Sequence, residues 1–178
     1  LFKGNNRDEV LSNISSFVML LKDEIIINLD GYNNSFKVYL ENDSIEKKKS
    51  KRKYKLKLEF KGYSMKDEVV ENINRINSKT IEILGTQTTP AIVEITPSVY
   101  ISDIKLDGLA EDPIIIKNLT ANKTVILDGE LQKVTVDGVN KYSDTDMWDF
   151  PRLKPGGNKI TVNKNNCNIK IKYKPRFI

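Results

Sequence analysis

Four aspartates close in sequence, Asp137, Asp144, Asp146 and Asp149, have the oxygen chemistry that a hard cation such as calcium needs. They lack the alternating Asp-x-Asp-x-Asp-Gly order of a calcium loop, and Asp137 stands before Gly138, which marks a turn. Two carboxylates can also hydrolyse a glycoside, but only at a fixed separation across the sugar, and no other feature of such a site accompanies them. Three aromatic residues are interleaved with these acids: Tyr142, Trp148 and Phe150. They have two readings. As large apolar side chains they anchor a core or an interface; as exposed rings they form a platform for a sugar or a partner. Trp148, just before Pro151, is expected to be packed and to close one end of the fold.

The chain contains no histidine, which removes the commonest general base and a leading metal ligand. Its single cysteine, Cys167, has no partner for an internal disulfide and no imidazole to activate it. It reads as a small buried hydrophobe. No catalytic constellation is visible, so no enzyme activity, cofactor or metal is expected. The basic run Lys47–Lys55, KKKSKRKYK, could neutralise phosphates. It joins two strand-like segments and follows Glu41, Asp43 and Glu46, so it reads as a solvated hairpin loop without specific nucleic-acid binding.

The elements that must carry these residues are mostly strands. The N-terminal segment is the exception. Asn6 offers an N-cap with Glu9 three residues on, and Val10, Leu11, Ile14, Phe17, Val18 and Leu21 follow at helical spacing. Strands are then expected at Ile25–Leu29, Phe36–Leu40 and Tyr54–Phe60, the last with Tyr54, Leu56, Leu58 and Phe60 on one face. Residues 64–79, with Val69, Val70, Ile73 and Ile76 at helical spacing, read as a connector holding a short helix. From Thr80 onward, short apolar runs alternate with turn residues. These include Asp107-Gly108, Asp128-Gly129, Asp137-Gly138 and the stretch PRLKPGGN, and together they read as antiparallel hairpins of a sandwich.

At 178 residues the chain is long enough for one medium domain or two small ones. Its hydrophobic fraction of 39% and charged fraction of 30% are those of a folded globular protein. The net charge of +5, carried mostly by lysine, is too small to argue for nucleic acid by itself. No apolar run approaches the roughly 20 residues that cross a bilayer as a helix. No signal peptide is expected before the fold, and the opening Leu1-Phe2-Lys3-Gly4 reads as a strand entered midway, with further strands expected ahead of it.

Two phrases in the last third, DGELQKVTVDGVNKYSD and WDFPRLKPGGNKITV with its IKYKPRFI tail, together resemble the C-terminal domain of siphophage distal tail proteins. FKGNNRDEVLSNISSF, IINLDGY and LKLEFKGY resemble the N-terminal domain of the same family. The resemblance implies a mainly β protein. A ring-forming β domain with one helix would span residues 1–63, residues 64–79 would connect, and a galectin-like or jelly-roll β-sandwich would span 80–178. It further implies a structural role in a virion tail, as a baseplate hub joining tail tube to tail tip. The implied partners are further copies of the chain in a hexameric ring, the tail tube protein and a tail-tip or tail-associated protein. A receptor-binding protein or a cell-surface carbohydrate is implied beyond these, with no membrane partner. The alternative is a carbohydrate-binding sandwich in host adhesion, with Tyr142, Trp148 and Phe150 as contact residues.

Overall fold

Asn6 starts the helix as its side chain predicts. Its Oδ1 accepts the Glu9 backbone N–H at 2.9 Å, and Glu9 Oε2 in turn accepts the N–H of Asn5 at 2.8 Å. The reciprocal bond thus reaches one residue further back than in a capping box, still satisfying donors that a helix start leaves open. The computed structural model describes residues 1–47 and 52–178, and these divide into two units, Leu1–Met65 with Ile178 and Lys66–Phe177.

In the first unit, strand β1 (Phe2–Lys3) precedes helix α1 (Arg7–Met19), followed by β2 (Ile25–Asn28), β3 (Ser35–Lys47) and β4 (Lys53–Met65). The strands are antiparallel in the order β1-β4-β3-β2. Val10 and Ile14 of α1 and Tyr54 of β4 are buried together, flanked by Phe2, Leu11, Val18 and Leu56. The predicted face of β4 is therefore the one that meets the helix. One expectation is corrected here. β3 does not end at Leu40 but continues to Lys47, because a bulge between Leu40 and Asn42 takes up Glu41 and re-registers the polar stretch against β4. Of the basic run, Lys47 lies in β3 and Lys53–Lys55 in β4, while Lys48–Lys51 fall outside the described residues.

The second unit is a sandwich of two antiparallel sheets. Its strands are β5 (Val69–Asn74), β6 (Ser78–Ile83), β7 (Thr89–Pro97), β8 (Ile101–Asp107), β9 (Ile114–Leu119) and β10 (Val125–Asp128). They continue with β11 (Lys133–Val136), β12 (Val139–Asn140), β13 (Thr145–Asp146), β14 (Arg152–Leu153), β15 (Gly156–Val162) and β16 (Cys167–Tyr173). One sheet runs β12-β11-β10-β7-β16-β5 with β14 also on β7, and the other runs β13-β9-β8-β15-β6. Period-2 alternation puts Val93, Ile95, Ile169 and Ile171 on the inner face of the first sheet. Ile104, Leu106, Ile114, Ile116 and Ile160 face them from the second, in one continuous core. Cys167 is part of that core, and burial raises its thiol pKa.

The expected connector at 64–79 is corrected. Val69–Asn74 is a strand paired along its length with β16, from Val69↔Tyr173 to Asn74↔Asn168. Its helical spacing is overridden by pairing. Val69 packs against the core and Ile73 is buried, whereas Val70 and Ile76, which a helix would have placed with them, are exposed. The sandwich unit consequently begins at Lys66 rather than at residue 80.

Candidate functional site

Two turns hold up the face on which the aromatic residues gather. After β10, Asp128 Oδ1 accepts the N–H groups of Glu130 (2.9 Å) and Leu131 (2.8 Å), and Gln132 closes the loop at φ 53°. Between β11 and β12, Asp137 (φ 50°) and Gly138 (φ 79°) both take the left-handed conformation that a two-residue hairpin turn requires. The chain then enters a short 3₁₀ turn, Tyr142–Asp144, anchored by the Tyr142 N–H donating to Asn140 Oδ1 at 2.9 Å. The Lys141 N–H donates to the Val134 carbonyl, and Thr145 Oγ1 to the Tyr142 carbonyl.

This scaffold stacks Tyr142 on Phe150, with ring centroids 6.0 Å apart and planes 22° from parallel. Phe150 leans on the core, and Tyr142 stays 46% exposed. The two rings wall a cleft of about 460 Å³ completed by Gln132, Lys133, Val134, Thr135, Gly138 and Asn140. Val134 is buried beneath it. Among the described residues, the side chains of Gln132, Lys133 and Thr135 make no hydrogen bond or ion pair, and Asn140 uses only its Oδ1.

A neighbouring cleft of about 330 Å³ behaves oppositely. Lys123 pairs with Asp137 at 2.7 Å, and Lys141 with Asp144 at 2.5 Å. Asn118 adds a bond to Asp144, and its carbonyl accepts from Lys141. Hydrogen bonds from Lys141 and Asn118 hold the Asp144 carboxyl below its ordinary pKa, and the bond to Asp137 raises that of Lys123. These polar groups are committed to one another.

The structure separates the residues that the sequence placed together. Asp137 and Asp144 go to different lysines, Asp149 lies 3.8 Å from Arg152, and Asp146 sits exposed in β13. Among the described residues no group of three or more potential metal ligands assembles. Of the three aromatics, Tyr142 and Phe150 meet. Trp148 does not line their cleft, and the expectation that it is packed is overturned: it is 87% exposed. The reason is local. Met147 and Phe150 pack against the core, and Trp148, one of the two residues between them, is left outside. Sequence reasoning missed Gln132, Lys133, Thr135 and Asn140. Their only signal was position: Lys133 and Thr135 alternate with Val134 and Val136, and Gln132 and Asn140 lie beside the two Asp-Gly turns.

The stretch PRLKPGGN, which carried part of the resemblance, is a structural device. Pro151 accepts at its carbonyl from Ala91, and Arg152 donates its N–H to Leu109. Asn158 then closes the turn, accepting from the Lys154 N–H at 2.9 Å and donating to the carbonyls of Lys154 and Gly156.

The chain folds as a helix-bearing antiparallel sheet and a two-sheet antiparallel sandwich. Its family is specific. The profile of the siphovirus-type tail component C-terminal domain matches residues 84–177, more than half of the chain, and the protein belongs to that family. Its role is that of a siphovirus-type tail component.

Among solved structures, the Dit protein of phage SPP1, described as a paradigm of the hub adsorption apparatus in phages infecting Gram-positive bacteria, is similar over 100% of this chain and 76% of its own. The TM-score is 0.75 at 11% identity. Two chains of the phage p2 baseplate in its activated conformation also match. The calcium form has a TM-score of 0.46 and 12% identity over 97% of this chain and 76% of that one. The strontium form has 0.43 and 14% over 98% and 77%. No curated protein matches the chain. At 11% identity, the likeness to the SPP1 protein is one of fold, and it runs through both units.

Proposed function

We propose that this protein is the distal tail hub of a long-tailed phage or prophage, a ring in the virion tail that joins the tail tube to the tail tip and its host-adhesion apparatus. The observation that carries the reading is the tail-component match over residues 84–177 together with a fold likeness to a hub protein that covers 100% of this chain and 76% of that one. The partners are then further copies of the chain, the tail tube protein, a tail-tip protein and a receptor-binding protein.

The first unit supports self-association. Its sheet ends at β2, where Ile26 is 58% exposed and the nearby Leu29 and Tyr32 are exposed as well. A strand edge bearing apolar side chains and no lysine or proline is a template for pairing with another chain. A head-to-tail contact through such an edge closes into a ring when its rotation divides a full turn.

Size-exclusion chromatography with light scattering, together with negative-stain microscopy, tests this. The expected result is a closed hexameric ring. A protein that is monomeric at every concentration and shows no rings would sink the hub reading.

A further inference from the structure

We infer that Asp30-Gly31, in the turn after β2, is a self-modification site, where the chain cyclises to a succinimide and reopens largely as isoaspartate. The chemistry exchanges only water. The Gly31 amide nitrogen attacks Asp30 Cγ and gives up its proton; the N–Cγ bond forms, and the carboxyl hydroxyl leaves with a proton as water. Water then adds to the ring. Opening at Cγ restores aspartate. Opening at the Asp30 main-chain carbonyl carbon instead routes the backbone through Cβ and Cγ, which adds one methylene to the main chain at unchanged mass. This goes beyond the hub reading and does not rest on it.

The sequence offers four Asp-Gly pairs that are alike in chemistry, and the fold makes them unlike. Ring closure needs a carboxyl free to turn toward the next amide, an uncommitted N–H and room for both to move into line. At Asp107-Gly108 the carboxylate is held by Lys105 at 3.3 Å and by Thr161, and Gly108 is wedged against the Lys159 carbonyl. At Asp128-Gly129 the carboxylate accepts from Glu130 and Leu131, and the Gly129 N–H donates to the Ala91 carbonyl at 3.0 Å. Asp137-Gly138 is open around the glycine, but Lys123 holds the carboxylate at 2.7 Å. Asp30-Gly31 meets every requirement. Among the described residues, neither the Asp30 carboxylate nor the Gly31 N–H makes a hydrogen bond or ion pair, and both residues are exposed. Beyond its chain neighbours, no atom lies within 4 Å of where a Gly31 Cβ would stand. The turn is closed by the Tyr32 N–H donating to the Leu29 carbonyl at 3.1 Å, a bond that the extra methylene would break.

Peptide mapping of the intact protein aged at mildly acidic pH tests the site, beside a sample aged unfolded in urea. Electron-transfer fragmentation tells isoaspartate from aspartate, and the succinimide shows as the loss of one water. In the folded protein Asp30 should collect the most isoaspartate, with Asp137 behind it and Asp107 and Asp128 unchanged. In urea the yields at the four pairs should converge, because the protection at Asp107 and Asp128 belongs to the fold. Lys123→Met should raise the yield at Asp137 and leave that at Asp30 as it was. No isoaspartate at Asp30, a yield there no higher than at the other three pairs, or the same ranking in urea as in the folded protein would each overturn the proposal.

Discussion

Gly108 and Asn158 show how single residues set the sandwich turns. Gly108 sits at φ 88°, and a Cβ there would fall inside contact distance of the Lys159 carbonyl oxygen. Both the conformation and the close approach demand glycine. Gly108→Ala is therefore expected to cost about 2 kcal/mol or more, seen as a lower midpoint in urea unfolding. Asn158→Ala removes an acceptor and two donated bonds from a buried turn, and should cost about 1–3 kcal/mol in the same assay. Trp148→Ala is the contrasting case. An exposed ring contributes little to the core, so the unfolding midpoint should stay within about 0.5 kcal/mol of the unaltered protein. A large loss would mean that the ring is packed after all.

At the scale of elements, β5 is the informative strand. It covers the edge of β16 and brings Ile73 into the core. A fragment spanning residues 66–178 should unfold cooperatively on its own, whereas one starting at residue 80 leaves that edge bare and loses Ile73 and Val69. Thermal unfolding by circular dichroism should show the shorter fragment melting lower or aggregating, and equal melting of the two would refute the role given to β5. Ile73→Ala in the longer fragment should cost about 2–5 kcal/mol. On the helix side, Asn6→Ala removes the bond to the Glu9 N–H and should cost about 1 kcal/mol.

For the whole molecule, assembly and pH response are the measurable properties. Ile26→Lys places a charge on the open edge of β2, and under the hub reading it should shift light-scattering mass from ring to monomer. The pH response has a definite sign. Burial raises the Cys167 thiol above its ordinary 9.0 and the Tyr173 phenol above its ordinary 10.0. With folded pKa values above the unfolded ones, both groups favour the native state fully below pH 9. That contribution is lost as the unfolded chain ionises first and pH rises through the folded values. Lys172, raised chiefly by its hydrogen bond to Glu94, acts in the same direction at still higher pH. Urea midpoints should fall between pH 8 and pH 10.5, and fall less in Cys167→Ala measured against its own value at pH 8.

Most strands were legible in the sequence, and so were the Asp107-Gly108 and Asp137-Gly138 turns, because alternation and positive φ are properties of a few consecutive residues. Asn6 and Glu9 announced the helix start for the same reason. After Asp128 it is Gln132, not Gly129, that takes the left-handed conformation. What tertiary structure alone decided depended on which partner was near. Val69–Asn74 is a strand because β16 presents an open edge to it, although its spacing suited a helix. The extension of β3 past Leu40 exists because β4 continues beside it. Around the candidate site the sequence supplied three aromatic residues and pointed to Trp148 as the packed one, which it is not. Packing drew Met147 and Phe150 to the core, set Tyr142 against Phe150, and left Trp148 in solvent. A side chain's type sets what it can bind, but which face of a loop it occupies is settled by the apolar neighbours that compete for the same interior.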